Sequence, residues 1–414
     1  MSQSHVINPW PRFRIGDVAR VQSGYAFKSE WFVPEGVRLL RNVNVSQGRV
    51  VWDDPAFFPP NRRDEFSTFE LSEGDIVLSL DRPVVSGGLK VARIAERDLP
   101  ALLLQRVGRF IVRAEVLPDY LYFFLQSVEF IRAITSHDQS LGVPHVSPRQ
   151  VEDVELPLPP LAEQRRIAGR LREQLAEVAN ARTAVQAQLA AAQAFPAALL
   201  RDVFDHPDNC KREIKRLGEA LRDIEAGKCM SCVERRAEPN EWGVLKVSAV
   251  TWGIFRPEEN KVLPPDFVVP TEHEVQPGDF LISRSNTTEL VGAVVLVRET
   301  RPKLMLSDKT LRLVLNEDVV AKEYLEWALR TSRCRDFIEQ NSTGTSGSMK
   351  NITQDSIRNI PLALPTLDEQ RTIAARLAAE LAEVTRLRES LSGKLEALDR
   401  LPAALLAQAF QGGL

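Results

Sequence analysis

The feature that most constrains this chain is a long helical pattern that occurs twice. The tripeptide EQR stands at residues 163–165 and again at 369–371, an offset of 206 residues (369 − 163). The string PAALL stands at 196–200 and again at 402–406 with the same offset. No insertion separates the two anchors in either copy. This register indicates a duplicated folding unit.

Between these anchors, most apolar residues recur at spacings of 3, 4 and 7, which predicts one apolar stripe on a helix. The stripe comprises Ile167, Leu171, Leu175, Val178, Val185, Leu189 and Phe195 in the first copy, and Ile373, Leu377, Leu381, Val384, Leu391, Leu395 and Leu401 in the second. Because a single helix cannot bury such a stripe by itself, we expect the two helices to pair as an antiparallel coiled coil. The alternative is that each helix packs separately on its own domain.

Prolines mark the expected limits of both helices. Pro159, Pro160 and Pro365 precede the helical pattern, where proline favours extended backbone and tolerates the first turn. Each helix should then run for about 35 residues, or roughly 50 Å. We expect Pro196 and Pro402 to kink or end the helices, because proline removes a backbone donor inside a helix.

The segments outside the helices repeat more weakly but in the same order. A Gly-Asp pair at 74–75 precedes a strand pattern, and the same pair at 278–279 precedes a similar one. The chain is therefore predicted to be α+β, with two similar globular domains, two long helices and an internal pseudo-two-fold repeat. The predicted segments are a first globular domain at 1–156, a first long helix at 157–206, a second globular domain at 207–362 and a second long helix at 363–414.

Composition narrows the class of protein. The formal net charge of −3 and the pI near 6.1 argue against a protein that coats nucleic acid through a general positive field, but they allow a local reading surface. No stretch is apolar enough for a signal peptide or a membrane helix, so we expect a cytoplasmic protein. Cys229 and Cys232 form one metal-like pair without a second pair at finger spacing, and we expect no metal or cofactor.

Two polar loops differ between the copies where a binding surface is expected. After the Gly-Asp strand, residues 79–83 read SLDRP in the first copy, and residues 283–287 read SRSNT in the second. Before the long helices, residues 139–145 read QSLGVPH and residues 341–350 read NSTGTSGSMK. These are unequal loops on similar frames. Ordinary solvated turns are the alternative interpretation.

The EQR helices, the repeated Gly-Asp strand, the PAALL string and the C-terminal QAFQGGL resemble the specificity subunit of type I restriction-modification enzymes. The resemblance covers almost the whole chain. It implies a non-catalytic DNA reader whose two globular copies are target recognition domains, each reading one half of a split, asymmetric sequence. It further implies that the paired helices fix the gap between half-sites and dock two adenine-N6 methyltransferase subunits, which restriction subunits with ATP-driven translocation then join.

The resemblance also places DNA-reading residues on the two polar loops. Arg and Lys can read guanine and Asn can read adenine, whereas Arg41 and Lys246 are candidates for phosphate contacts. The first copy departs from the family's Ser-Arg-polar-Gly pattern at Asp81-Arg82-Pro83. The remaining candidates are Ser79, Arg82, Lys90 and His145 in the first copy, and Ser283, Arg284, Ser285, Asn286, Ser346, Ser348 and Lys350 in the second. The residues predicted to pair the helices are Ile167, Leu171, Leu175, Val178, Leu189, Ile373, Leu377, Leu381, Val384 and Leu395.

Two other functions compete with this prediction. A DNA methyltransferase would need a Gly-rich cofactor loop and an Asn/Asp-Pro-Pro-aromatic motif, but the Pro-Pro pairs at 59–60 and 264–265 have other neighbours. The sequence also contains no GxxxxGK[ST] phosphate-binding loop. A coiled-coil scaffold with two protein-binding domains and no DNA readout is the second alternative, since the overall charge is mildly acidic.

Overall fold

The computed structural model describes residues 10–85, 88–135, 145–205, 213–228, 232, 234–346 and 349–411. Contacts divide the chain into two compact units, the first formed by 1–187 with 392–414 and the second by 188–391. Each unit therefore holds one globular domain and parts of both long helices.

The first globular domain is built from short strands and short helices, and the first long helix follows it. The elements are β1 (Arg12–Arg14), α1 (Ile15–Val18), β2 (Ala19–Ser23), β3 (Val37–Leu40), β4 (Ala56–Phe58), β5 (Ile76–Ser79), β6 (Val84–Val85), β7 (Gly88–Leu89), β8 (Val91–Arg93), β9 (Ala101–Leu103), β10 (Val107–Val112), α2 (Pro118–Leu125), α3 (Val128–Thr135), α4 (Pro148–Glu152), β11 (Glu155–Pro157) and the long helix α5 (Leu161–Asp205).

The second globular domain repeats this order with small differences. The elements are β12 (Ile214–Arg216), β13 (Leu221–Ala226), β14 (Gly243–Leu245), α6 (Ser248–Thr251), β15 (Asn260–Val262), β16 (Phe280–Ser283), β17 (Ser285–Asn286), β18 (Val294–Leu296), β19 (Leu304–Met305), β20 (Thr310–Leu315), α7 (Lys322–Ala328), α8 (Ser332–Asn341), β21 (Thr343–Ser346), β22 (Met349–Asn351), α9 (Gln354–Arg358), β23 (Pro361–Ala363) and the long helix α10 (Leu367–Phe410).

The two globular domains have matching sheets. A four-stranded antiparallel sheet has the order β2-β10-β5-β8 in the first domain and β13-β20-β16-β18 in the second. A three-stranded sheet has the order β4-β3-β9 or β15-β14-β19, and in both domains its last pair is parallel. Fully buried Tyr120 and Tyr324 occupy equivalent places in the two main cores. The α+β duplication predicted from the sequence is confirmed.

The repeated Gly-Asp pair builds the turn that enters the central strand of each main sheet. Gly74 and Gly278 have φ values of 87° and 93°, in the left-handed region that glycine adopts without a steric cost. The carboxylates of Asp75 and Asp279 each accept a hydrogen bond from a backbone N–H of the same turn. Asp279 also binds Arg312 from the neighbouring strand at 2.8 Å. This motif is therefore structural.

Both long helices continue past their internal prolines, so of the two expected effects, a kink or an end, the end does not occur. Helix α5 has 45 residues and α10 has 44, with Pro196 and Pro402 inside. An interior proline costs about 3 kcal/mol. Leu199 and Leu406, which follow the two prolines, are buried. Burying one leucine side chain contributes about 1.5–3 kcal/mol, so packing of the final turns offsets the loss.

The two helices run antiparallel wherever they meet within a unit. In the first unit, Leu171 of α5 shares a buried cluster with Phe410 of α10, and Arg182 of α5 forms an ion pair with Asp399 of α10 at 2.8 Å. The residue numbers rise along one helix while they fall along the other. In the second unit, the end of α5 packs in the same sense on the start of α10. The predicted antiparallel pairing is confirmed.

The residues predicted to pair the helices differ in burial. Ile167, Leu171 and Leu377 are fully buried. The half-buried members are Leu175, Val178, Leu189, Ile373, Leu381, Val384 and Leu395. At the start of α5 the buried residues also contact the core of the first globular domain. Packing on the domain and packing on the other helix therefore occur together there.

Phe195 and Leu401 do not belong to the apolar stripe, although the alignment suggested it. Their exposed fractions are 42% and 41%. Each follows the preceding stripe residue by six positions, and six steps of about 100° turn a side chain away from the stripe. In α5 the stripe instead passes through Ala192 and Leu199, which are buried.

Among the described helices, none is long and apolar enough to cross a membrane.

Candidate nucleic-acid interface

In the second globular domain, the two predicted reading loops come together in one small sheet, β17-β22-β21. Ser285 pairs with Asn351 and Asn286 pairs with Lys350, so the loop after the Gly-Asp strand lies beside the loop before the long helix. Arg284 continues this contact, because its carbonyl oxygen accepts a hydrogen bond from the N–H of Ile352 at 3.0 Å. Residues 66 positions apart in the sequence thus form one continuous edge.

Hydrogen bonds hold four polar side chains of this sheet in place, those of Ser285, Asn286, Lys350 and Asn351. The Asn286 side-chain amide donates to the Thr251 hydroxyl at 3.0 Å, and Ser285 donates to Asn351. The Lys350 ammonium donates to the Gly344 carbonyl at 3.1 Å. By contrast, the exposed Arg284 guanidinium makes no hydrogen bond or ion pair with another described residue. It is therefore the side chain of this edge best placed to bind an external acceptor.

The first globular domain joins its two loops in the same way. The Val146 N–H donates to the Leu80 carbonyl at 2.9 Å, which repeats the bond between Ile352 and Arg284. Asp81 and His145 form a bridge next to this bond. Residues 139–144 of the predicted loop 139–145 lie outside the described part of the chain. The contact at its end nevertheless fixes where that loop meets the sheet.

Asp81 is the electrostatic centre of the first domain's loop contact. Its carboxylate is nearly buried and accepts from Arg106 at 2.5 Å, and it lies 2.8 Å from the His145 ring. Burial raises the pKa of Asp81, but the hydrogen bonds with Arg106 and His145 lower it by more. The pKa of Asp81 therefore lies below its usual value. Next to it, Arg82 is exposed and has a φ of 44°, in the left-handed region. Arg82 is thus held at a sharp backbone turn.

The remaining charged candidates differ in how far they are engaged. Lys90 donates to the Asn42 carbonyl at 2.6 Å, and burial lowers its pKa. Arg41 forms an ion pair with Asp54 at 2.8 Å. Lys246 is half-buried and lines a cavity in the second domain. Of the two residues predicted to contact phosphate, only Lys246 makes no ion pair with a described residue.

Two predicted reading residues are placed inward. Ser79 and Ser283 are fully buried. The Ser79 hydroxyl donates to the Asp81 carbonyl at 2.7 Å, and the Ser283 hydroxyl donates to the Leu290 carbonyl at 3.1 Å. Both serines are buried because the strands that end at them, β5 and β16, are buried at every position. Their role in reading bases stays a prediction. Ser348 and the side chain of Ser346 lie outside the described part of the chain.

Sequence reasoning missed the role of the glutamine in each EQR tripeptide. Gln164 is fully buried, and its side-chain oxygen accepts from the Leu117 N–H at 2.8 Å. Its amide nitrogen donates to the carbonyls of Glu115 and Pro159 at 3.0 and 2.9 Å. This glutamine therefore ties the start of α5 to the loop before α2.

Gln370 makes the same three bonds at the start of α10. It accepts from the Ala321 N–H at 2.9 Å and donates to the carbonyls of Val319 and Pro365 at 3.0 and 2.8 Å. The recurrence of the glutamine within EQR was the available signal. A neutral side chain with one acceptor and two donors satisfies all three backbone groups, which explains why the tripeptide repeats where each helix leaves its globular domain.

Among the described residues, no group of three or more His, Cys, Asp and Glu side chains converges in a way that could hold a metal ion. Cys229 of the metal-like pair lies outside those residues, while Cys232 is half-buried.

Type I restriction enzyme specificity subunits are similar to this chain, some over part of it and some over its whole length. Residues 7–185 match the family model described as a type I restriction modification DNA specificity domain. The EcoAI type I restriction enzyme specificity subunit of Escherichia coli is 43% identical over 192 residues, covering 45% of this chain and 32% of the relative, less than two thirds of its length. The EcoKI specificity subunit of Escherichia coli (strain K12) is 24% identical over 100% of this chain and 91% of the relative.

A solved structure supports the fold over the whole length. The HsdS subunit from Thermoanaerobacter tengcongensis superposes with a TM-score of 0.68 and 20% identity, covering 99% of this chain and 98% of that one. The family match lies in the first copy of the repeat, and the structural match extends through the second. Residues 7–185 therefore match a type I restriction modification DNA specificity domain, and over its whole length the chain is similar to the EcoKI type I restriction enzyme specificity subunit.

Proposed function

We propose that this chain selects the DNA sequence on which a type I restriction-modification complex acts. Residues 1–156 and 207–362 serve as two target recognition domains, and each reads one half of a bipartite, asymmetric target. The chain itself catalyses no reaction. It docks two adenine-N6 methyltransferase subunits, and restriction subunits then join this core.

One observation carries the proposal: the two domains share a frame but present different side chains where their loops meet. The hydrogen bond that joins the loops is the same in both copies, Leu80 with Val146 and Arg284 with Ile352. Next to it, Asp81 is paired with His145 in one copy and Ser285 is paired with Asn351 in the other. Direct readout of DNA depends on the donors and acceptors presented to base edges. Unequal side chains on equal frames therefore suit two different half-sites.

The long helices suit a spacer role. A helix of 45 residues is about 68 Å long at 1.5 Å per residue, which exceeds one turn of B-DNA, about 34 Å. Exposed side chains dominate the middle of α5 and α10, which leaves surface for docked subunits.

The decisive experiment is selection on random-sequence duplexes by the full chain assembled with its methyltransferase subunits. A split motif with two unequal halves is the expected result. A scaffold that binds only proteins would give a complex of the same composition but no enriched sequence. That outcome would end the DNA-reading proposal.

A second experiment tests the spacer role. Deleting one heptad from each helix at matched positions, 178–184 and 384–390, shortens each helix by about 10 Å. The selected motif should then keep both halves and lose about three base pairs of spacer. The control deletes seven residues from one helix only, which breaks the register and should abolish assembly. An unchanged spacer in the double deletion contradicts the spacer role.

A further inference from the structure

The second globular domain contains a cavity of about 600 Å³ whose lining carries four lysines. Lys228 follows β13, Lys246 follows β14, Lys261 lies in β15, and Lys309 lies in the turn before β20. Four separate segments thus bring lysine residues to the lining of one cavity, which we call the lysine pocket. Such convergence in the fold is not visible as a basic run in the sequence.

The charge balance of the lysine pocket is positive. Glu234 and Asp308 are its acidic lining residues, and Glu234 is bound by Lys261. The hydrogen bond from Lys261 lowers the pKa of Glu234, and the nearby charge of Lys246 lowers it further. Lys228, Lys246 and Lys309 make no ion pair with another described residue. Their positive charge is therefore left to attract an anion.

Two contacts connect the lysine pocket to the edge formed by residues 284–286 and 350–352, which we call the reading edge. The Lys309 carbonyl accepts from the Arg284 N–H at 2.8 Å. The helix α6, which begins directly after Lys246 and Val247, carries the Thr251 hydroxyl that binds Asn286 at 3.0 Å. An anion in the pocket would thus lie beside the side chains predicted to read bases.

The lining chemistry favours a phosphate group over a base. No aromatic side chain is part of the described lining, whose apolar residues are aliphatic, and unpaired bases are held mainly by stacking on aromatic rings. The Ser248 and Ser307 hydroxyls are engaged by Glu259 and Thr310. Ammonium groups remain as the available donors, and they bind phosphate oxygens without regard to sequence.

We propose that Lys228, Lys246 and Lys309, whose charges are not paired within the lysine pocket, bind backbone phosphates of the DNA half-site that the second globular domain reads. This inference rests on the proposed function and adds the residues that fix the register of that half-site. The three lysines supply affinity, and the neighbouring edge with Arg284 and Asn286 supplies selectivity.

The test measures the salt dependence of binding by the full chain in its methyltransferase complex, on the duplex motif obtained by selection. Each phosphate contact contributes about 0.9 to the slope of log K against log salt concentration. The double variant K246Q/K309Q should therefore lower the slope by about 2 without changing the selected motif. The matched control K215Q/K322Q removes the same charge from lysines outside the pocket lining, and it should leave the slope unchanged.

Methylphosphonate substitution locates the contacts. Neutral linkages in the half-site read by the second domain should remove most of the difference between K246Q/K309Q and the unaltered chain. The same linkages in the other half-site should preserve that difference. Hydrogen exchange in β14 and β15 verifies that the variant domain is folded.

The outcomes separate this inference from the proposed function. A slope equal to that of the unaltered chain overturns the phosphate pocket while the DNA-reading function stands. A changed motif with an unchanged slope also overturns it, because the lysines would then read bases. Absence of any enriched motif with the unaltered chain defeats the proposed function itself.

Discussion

The two globular domains have the same strand order but fill one equivalent region in opposite ways. In the second domain this region is the lysine pocket. In the first domain the equivalent positions, matched by strand register and backbone contacts, are Tyr25, Arg41, Ala56 and Arg106. Both arginines there are neutralised, Arg41 by Asp54 and Arg106 by Asp81.

Aromatic rings surround Tyr25 in the first domain. Its ring centroid lies 4.8 Å from that of Phe66 and 5.1 Å from that of Phe27, within a cluster of buried apolar side chains. Apolar side chains thus fill this region in the first domain, whereas in the second domain the region is an open cavity lined by lysines. Duplication preserved the frame because main-chain hydrogen bonds define it, while the side chains in the region were free to diverge.

The largest expected difference between the domains involves the residue at the same position of α2 and α7. In the second domain this residue is Glu326, which is almost fully buried and binds Arg298 at 2.7 Å and Arg330 at 2.9 Å. Glu326→Gln leaves the mostly buried Arg330 without a counter-charge, so we expect the second domain to lose about 3–5 kcal/mol of stability. Hydrogen exchange resolved by domain measures this loss.

The matched variant in the first domain is Tyr122→Phe. Tyr122 lies under the Arg93 guanidinium at 4.7 Å, and phenylalanine keeps that ring. We expect a change within about 0.5 kcal/mol. Equal losses in the two domains would show that the buried carboxylate does not distinguish them.

The glutamine of EQR should instead affect both domains equally. Gln164→Ala and Gln370→Ala each leave three backbone groups without their partner, at a cost of about 1–3 kcal/mol. Urea denaturation followed by domain-resolved exchange should show the loss in the domain that carries the variant. The exposed neighbours supply controls, since Arg165→Ala and Arg371→Ala should have little effect. Unequal losses would mean that the two helix junctions are not equivalent.

Arg284 tests whether the reading edges differ. Its counterpart in the first domain is Leu80, which is buried. Arg284→Ala should relax one base position of one half-site, at a cost of about 1–3 kcal/mol for the preferred base. Competition binding with single-base variants of the target measures this cost. A uniform loss over all sequences would identify Arg284 as a phosphate contact.

The smallest expected effect is a local sensitivity of the first domain to acid. The pKa of Asp81 is lowered in the folded state, so its ionised form stabilises the loop contact above the ordinary carboxyl pKa. This stabilisation is lost as the pH falls through the folded-state pKa. Amide exchange at 80–82 and 145–147 should therefore increase below about pH 4 more than exchange at 284–286 and 350–352. Asp81→Asn should remove the pH dependence, and its persistence would contradict the assignment.

Several features of the fold were predictable because they depend on local chemistry. The Gly-Asp turns require a left-handed residue and a carboxylate acceptor, and both are visible at 74–75 and 278–279. The positions of the two polar loops followed from the repeat, but their pairing with each other joins residues 66 positions apart and was not predicted. By contrast, the burial of Ser79 and Ser283 depends on packing over both faces of their strands, in which all four residues are buried. The sequence around them does not specify that packing.

Local sequence signals also did not predict that the helices continue past Pro196 and Pro402. A proline weakens the helix where it stands, but whether the helix ends depends on what the next two turns bury. Leu199 and Val203 pack with Leu377 in the second unit. That contact joins segments almost 180 residues apart, and local propensity contains no information about it.

The amino-acid sequence alone determined the duplication, the two long amphipathic helices and the class of fold, because periodicity and ungapped register act over neighbouring residues. Tertiary structure alone decided that one buried glutamine binds each long helix to its domain. It also decided that Ser79 and Ser283 are buried and that four distant lysines line one pocket. Such convergence depends on strand pairing and packing across the chain, which place residues together without leaving a contiguous motif.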